Sequence, residues 1–335
     1  MRTQIIVRHL FCLAAALLLN FPSAFASKKG FAVEETKSGV TVKLNGKLFT
    51  KYVIDQANKP FLWPVIGPGG VEMTRAYPMA KVDGERHDHP HHRSFWFGHQ
   101  GTDGFDTWHE EMTIMERRGT AEQKKQRLAG LGSTVHRKFR EISADKKSAT
   151  IIAENDYVGS DGRKLLSDVR TFVFRAAKGK HIIDVDIELI ASHGEMTLSD
   201  KKDAGFSVRV PTSMDVDSKK GGTVINSNGI RDKAAWGKRA KWVDYNGPVN
   251  GKKMGVAILN HPSSLRHPTT WHVRTYGLFT ANPFGTKSLD KTAPDGAIKL
   301  KKGESVKLRH RVIFHRGDEK AAKIAEEFKA YAAEP

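Results

Sequence analysis

The stretch Phe31-Ala-Val-Glu-Glu-Thr-Lys-Ser-Gly-Val-Thr-Val-Lys-Leu-Asn-Gly-Lys-Leu-Phe-Thr-Lys-Tyr-Val-Ile54 decides the fold class. Apolar and polar residues alternate through 31–36 and 40–44, the period of a strand with one face buried. Asn45-Gly46 then marks a two-residue hairpin turn, whose central positions both need positive φ, and 48–54 is the expected partner strand. Similar strand patterns recur at 150–158, 168–175, 182–190, 205–210, 254–260 and 306–315, with Gly, Asn and Lys turns between them. Helical stretches between strands, which parallel βαβ units require, are missing. The expectation is an all-β chain folded as a large antiparallel β-sandwich.

Helix is expected in one clear place, Asp318 to Ala333. Asp318 is placed to cap it, and Ala322, Ile324, Ala325, Phe328 and Tyr331 form an apolar stripe that would brace the sandwich. Residues 124–128 read as a short helix or a loop. No repeat or linker divides the chain, so 27–335 is expected to be a single domain.

The first 26 residues read as an export signal: Arg2 and Arg8, an apolar run from Leu10 to Leu19, and Ala24-Phe-Ala26 as a cleavage site. That run is too short to span a bilayer, which takes about 20 residues. The mature chain is therefore expected to be soluble, and periplasmic or secreted. The single cysteine, Cys12, would leave with the signal, which excludes thiol nucleophiles, disulfides and thiolate metal sites. Removing Arg2 and Arg8 lowers the net charge from +18 to +16. Such a charge favours anionic partners, among them polysaccharide. The lysines fall largely in turn-like pairs such as Lys124-Lys125 and Lys301-Lys302, and no nucleic-acid module is visible.

Six of the 15 histidines lie between His87 and Glu110. On an extended chain His87, His89 and His91 would share a face, the arrangement for a divalent metal, with Asp103, Asp106 or Glu110 completing the set. A metal-free site fits the same residues. His89, His92 and His99 would then move protons, Arg93 would bind a carboxylate or oxyanion, and Trp96 and Trp108 would stack on sugar rings. Asp106, His109 and Glu110 would complete that wall. Upstream, Arg75 and Tyr77 sit in a turn-rich segment. Downstream, 261–284 holds three more histidines, with Arg266, Arg274 and Asn282 as binding candidates. Read as a strand, 271–276 places His272, Arg274 and Tyr276 on one face opposite Trp271 and Val273. A polar face of that kind suits a ligand cleft, and these windows are expected to meet in space. The sequence contains no phosphate-cradling glycine loop and no nucleophile elbow.

Three strings carry a family resemblance: Thr74-Arg-Ala-Tyr-Pro-Met79; Asp88-His-Pro-His-His-Arg93 with Trp96-Phe-Gly-His99; and Trp271-His-Val-Arg-Thr-Tyr-Gly-Leu-Phe279 with Asn282-Pro-Phe-Gly285. Together they resemble a bacterial family of unknown function that goes under the label "methane oxygenase PmoA". The resemblance implies bacteria that consume complex polysaccharides, and a β-sandwich similar to the galactose mutarotase type. The expectation is an exported carbohydrate-active enzyme whose hydrolase, lyase or epimerase chemistry stays open. His89, His92, His99, Arg93 and His272 are its catalytic candidates. A His-rich metal-dependent enzyme, such as an oxygenase, and a non-catalytic glycan-binding protein are the alternatives.

Overall fold

The computed structural model describes residues 29–335; the segment read as an export signal and Cys12 lie outside the described residues. Two eight-stranded antiparallel sheets face each other. The first runs, in spatial order, Phe31–Thr36, Gly39–Leu44, Lys47–Val53, Phe61–Val65, Phe95–His99, Ala204–Arg209, Leu278–Asn282 and Thr270–Val273. The second runs Thr223–Asn226, Trp242–Val249, Lys252–Asn260, Ser305–Arg316, Lys180–Ile190, Lys164–Ala177, Ser148–Gly159 and Gly132–Ala144. A two-stranded ribbon, Met196–Leu198 with Ile298–Leu300, lies beside them.

The opening hairpin forms as its sequence dictates. Leu44 pairs with Lys47, and Asn45 and Gly46 take φ of 51° and 74°. Both angles are those of the turn that matches strand twist. A Cβ at Gly46 would strain this backbone, so Gly46→Ala should lower stability by about 1–2 kcal/mol, measured as a shifted urea midpoint.

Alternation explains the core. Ile183, Val185, Ile187 and Leu189 point inward from one strand and are fully buried. Between the sheets Phe49 meets Phe174 at 5.8 Å and Tyr52 meets Phe172 at 5.2 Å. A polar cluster also lies between the sheets. Asp168 and Arg170, on the same strand face as Phe172 and Phe174, are buried there; Tyr157 Oη and Arg170 Nε donate to Asp168 Oδ2 at 2.7 and 2.9 Å.

The C-terminal helix is shorter than its periodicity suggests, Ile324–Ala332. Asp318 caps the preceding turn through Ala321 N–H, and Lys323 takes a left-handed φ of 55°. Ile324, Phe328 and Tyr331 cover Trp242, Leu259 and Ile313 on the outside of the second sheet, while Ala325 is exposed. Residues 124–128 belong to the helix Ala121–Ala129, which Thr120 and Gln123 start with a capping box. No helix among the described residues is long and apolar enough to cross a membrane.

Candidate functional site

One rim of the first sheet gathers the distant windows. Phe95 pairs with Val208, and Arg209 pairs with Leu278. Residues 87–94 therefore enter their strand where Arg209 leaves its own and where the turn 274–277 leads into the next. Backbone bonds lock this edge: Arg209 N–H donates to Ser94 O at 2.7 Å, and Arg75 N–H to Arg209 O at 2.9 Å.

Asp88 is the hub of the rim. Its Oδ1 accepts from Arg75 at 2.6 Å and from Arg209 at 2.8 Å, and lies 3.3 Å from His89 Nδ1. Among the described residues its side-chain contacts all fall on this one oxygen, leaving Oδ2 free. Burial would raise the Asp88 carboxyl, yet His89, Arg209 and Arg75 together outweigh it and hold the group well below the ordinary carboxylate range. Asp88 is thus a fixed anion. Both arginines are buried, and Arg75 is tied further to His89 O and Tyr77 O.

The rings above this hub lie nearly parallel. His92 stacks on Trp96 at 5.3 Å, His89 on His92 at 4.9 Å, and Tyr276 on His89 at 5.1 Å with 11° between the planes. His92 is buried and accepts from Arg209 on Nδ1 at 2.9 Å, so its proton sits on Nε2. Burial, followed by the charge of its neighbours, keeps His92 neutral far below the usual histidine range. His89 is the accessible member, with 41% of its side chain exposed on a left-handed backbone of φ 46°. Tyr276 is half-buried, and its hydroxyl makes no hydrogen bond among the described residues. Burial raises its phenol despite Arg209 and Arg274, so at neutral pH it keeps its proton.

A second wall continues from His91, whose ring lies 4.5 Å from that of His109. His91 Nδ1 bonds Thr113 Oγ1 at 2.8 Å. Arg117, which can only donate, faces His109 Nε2 at 2.9 Å, so His109 donates from Nδ1 to Asp106 at 2.7 Å. Tyr77 stacks on His87 and donates to Glu116 at 3.4 Å.

Several sequence expectations need correction. Arg93 does not reach for substrate: it holds both oxygens of Glu110, which also accepts from Lys59 at 2.9 Å. Burial pushes the Glu110 carboxyl up, but Lys59 and Arg93 win and hold it below the usual range. This buried ion triad is structural. His99 is fully buried against Phe284, with its ring 4.8 Å away, and cannot touch a solvent-borne substrate. The strand at 270–273 ends before Arg274, so His272 does not share a face with Tyr276. His272 instead bonds Lys202 O at 2.7 Å, inside the protein. Arg266 donates to Pro283 O and Gly296 O, and Asn282 caps the Phe284 and Gly285 N–H groups. Trp96 and Trp108 are buried and form the floor, so neither is a sugar platform.

The metal trio fails on backbone grounds. Positive φ at His89 breaks the alternation that would align it with its neighbours, and His87 leaves to stack on Tyr77. Among the described residues no group of three or more His, Cys, Asp or Glu side chains is placed to hold a metal ion.

The expectation that the windows meet is correct, through Tyr276 rather than His272. Sequence reasoning does not find Arg209. Its one signal is parity: Ser207 and Arg209 share a strand face opposite Phe206 and Val208.

Among solved structures the chain is similar to a galactose mutarotase related enzyme from Lactobacillus acidophilus (8% identity, TM-score 0.35), covering 85% of this chain and 97% of that one. It is also similar to the GH36 α-galactosidase AgaA from Geobacillus stearothermophilus, at 13% identity and a TM-score of 0.36, over 87% of this chain and 40% of that one. A glycoside hydrolase family 97 enzyme from Pseudoalteromonas sp. strain K8 matches at 9% identity and a TM-score of 0.32, over 85% of this chain and 33% of that one. The chain thus spans about two fifths of the first hydrolase and a third of the second. No curated protein matches the sequence. The family described as being of unknown function, DUF6807, matches residues 39–329, and that description lends the methane-oxygenase label no support. Since the match takes in every strand of both sheets except Phe31–Thr36, and every residue of the rim, the chain belongs to the DUF6807 family.

Proposed function

We propose that this protein is an exported carbohydrate-active enzyme that works by proton transfer at a sugar. The observation that carries the reading is the exposed His89 imidazole, seated 3.3 Å from the clamped Asp88 and stacked on Tyr276. Asp88 orients the ring through Nδ1, which leaves Nε2 to act as base; the half-buried phenol of Tyr276 is the complementary acid. Arg75 and Arg209 hold Asp88 in place and add positive potential beneath the substrate. Asp88 Oδ2 is free to accept a sugar hydroxyl. The carboxylates of the two walls, Asp88, Asp106, Glu110 and Glu116, are all engaged with protein partners. A retaining glycosidase needs two carboxylates about 5 Å apart flanking the bond. The geometry therefore favours epimerisation, elimination or ring opening over a covalent glycosyl intermediate. Support for sugar as substrate comes from the basic, aromatic rim, the export signal read at 1–26, and the resemblance to proteins of polysaccharide-consuming bacteria.

The test is proton NMR of the purified protein with a panel of mono- and oligosaccharides in D2O. The spectra follow anomer exchange, C–H exchange and bond cleavage together. At least one sugar should change at an enzyme-dependent rate, and EDTA should leave that rate unaltered. Binding without any conversion would instead make the protein a glycan-binding module. Loss of conversion on adding EDTA would restore the metal reading.

A further inference from the structure

Beside the acid–base pair lies a cavity of about 220 Å³, lined by Lys233, Trp236, Val273, Arg274 and Thr275. Resting on the proposed carbohydrate function, we infer that this cavity is a subsite for one acidic sugar ring, carboxylated or sulfated, held next to the ring on which His89 acts.

Three observations converge on it. The first is size: the volume lies below the roughly 300–1,000 Å³ of sites that enclose drug-sized ligands, so it suits one ring and not a chain. The second is charge. Lys233 and Arg274 are exposed, and among the described residues neither has a carboxylate partner. Of the nearby acids, Asp232 accepts from Thr223 Oγ1 at 2.9 Å and Val224 N–H at 2.8 Å, and Asp217, whose N–H donates to Thr275 O at 3.1 Å, is exposed and forms no ion pair with either cation. Asp203 pairs with Lys202 at 2.9 Å and lies 3.6 Å from His272. Two uncompensated cations on a small concave surface select an anion. The third is the half-buried Trp236, an apolar, electron-rich plane against which the C–H face of a pyranose packs.

Position ties the cavity to the reaction. The Arg274 guanidinium carbon sits 5.5 Å from the centre of the Tyr276 ring, and Tyr276 stacks on His89. One arginine therefore borders both places. A bound acidic ring would set the register of an oligosaccharide, presenting its neighbour to His89.

The experiment is a tryptophan-fluorescence titration with methyl galactosiduronate, galactose 6-sulfate and neutral methyl galactoside. The two charged probes distinguish a carboxylate from a sulfate. At least one should bind about tenfold or more tighter than the neutral probe, and more weakly as salt rises. Lys233→Met with Arg274→Met should abolish that preference, and Trp236→Phe should remove the optical signal. Both cations are exposed, so the double variant should fold, which its unchanged circular dichroism would verify. Equal binding of charged and neutral probes, or a preference untouched by the double variant, would overturn the subsite. The two readings fail separately. Conversion of neutral glycans without charged-probe binding removes the subsite and keeps the enzyme. Charged-probe binding that Lys233 and Arg274 control, with no conversion of any sugar, keeps the subsite and removes the enzyme.

Discussion

His89→Asn should lower kcat on the converted sugar by about 10²–10⁴-fold, the usual contribution of a positioned acid–base group. KM should change little, because Arg75, Arg209, Tyr276 and Arg274 remain. Asparagine suits the test because it tolerates left-handed backbone, as His89 does at φ 46°. The fold should survive, since the imidazole is exposed at the surface and His92 keeps its own bond from Arg209. An equal thermal midpoint with a collapsed kcat assigns the loss to chemistry. A kcat within threefold of wild type would remove His89 from the mechanism.

Acid should begin to destabilise this protein near pH 6.5, above the range where carboxylates titrate. Burial lowers His99 to about 3, His272 to about 4 against the opposing charge of Asp203, and His310 to about 3. His91 and His92 are shifted in the same direction, by burial first. Each of these groups is neutral inside the fold, whereas in the unfolded chain it titrates near 6.5. Its stabilising contribution is complete above pH 6.5 and is lost as pH falls toward the folded value, because the unfolded chain takes up a proton that the native state refuses. One such group costs about 1.4 kcal/mol per pH unit inside that window. His99, His272 and His310 alone approach about 4 kcal/mol per unit, against a typical total of about 5–15 kcal/mol. Urea unfolding at pH 7, 6 and 5 should show a steep fall, with the chain unfolded before pH 4. Stability flat between pH 7 and 5 would mean that these histidines accept protons in the native state.

The fold was legible where one strand face is buried and the other wet. Lys180–Ile190 alternates along its length, and the Asn45-Gly46 turn declares its hairpin. Strands that break the pattern were not. Gly132–Ala144 is an edge strand crowded with outward charges, and Trp242–Val249 carries buried Asp244 on its helix-covered face, whose partner His315 is 71 residues away at 2.6 Å. Such pairing is created by topology, so no local pattern announces it. The site divides likewise. His89 and His92 stand out by density in a short segment, and Arg75 and Tyr77 by their turn-rich setting. The hub does not, because Asp88 gains its role from Arg209, 121 residues on. His272 misled for a related reason: alternation was extrapolated past Val273, where the strand ends and the chain turns.

The measurement closest to the central claim is a histidine-labelled ¹⁵N NMR spectrum recorded while the first converted sugar is titrated in. The account predicts that the His89 resonances move with saturating sugar while buried His99 and His310 stay still. It also predicts that no histidine responds comparably once His89 is asparagine. Movement confined to histidines outside the rim, such as His193 or His261, or an unmoved His89 at full conversion, would contradict it.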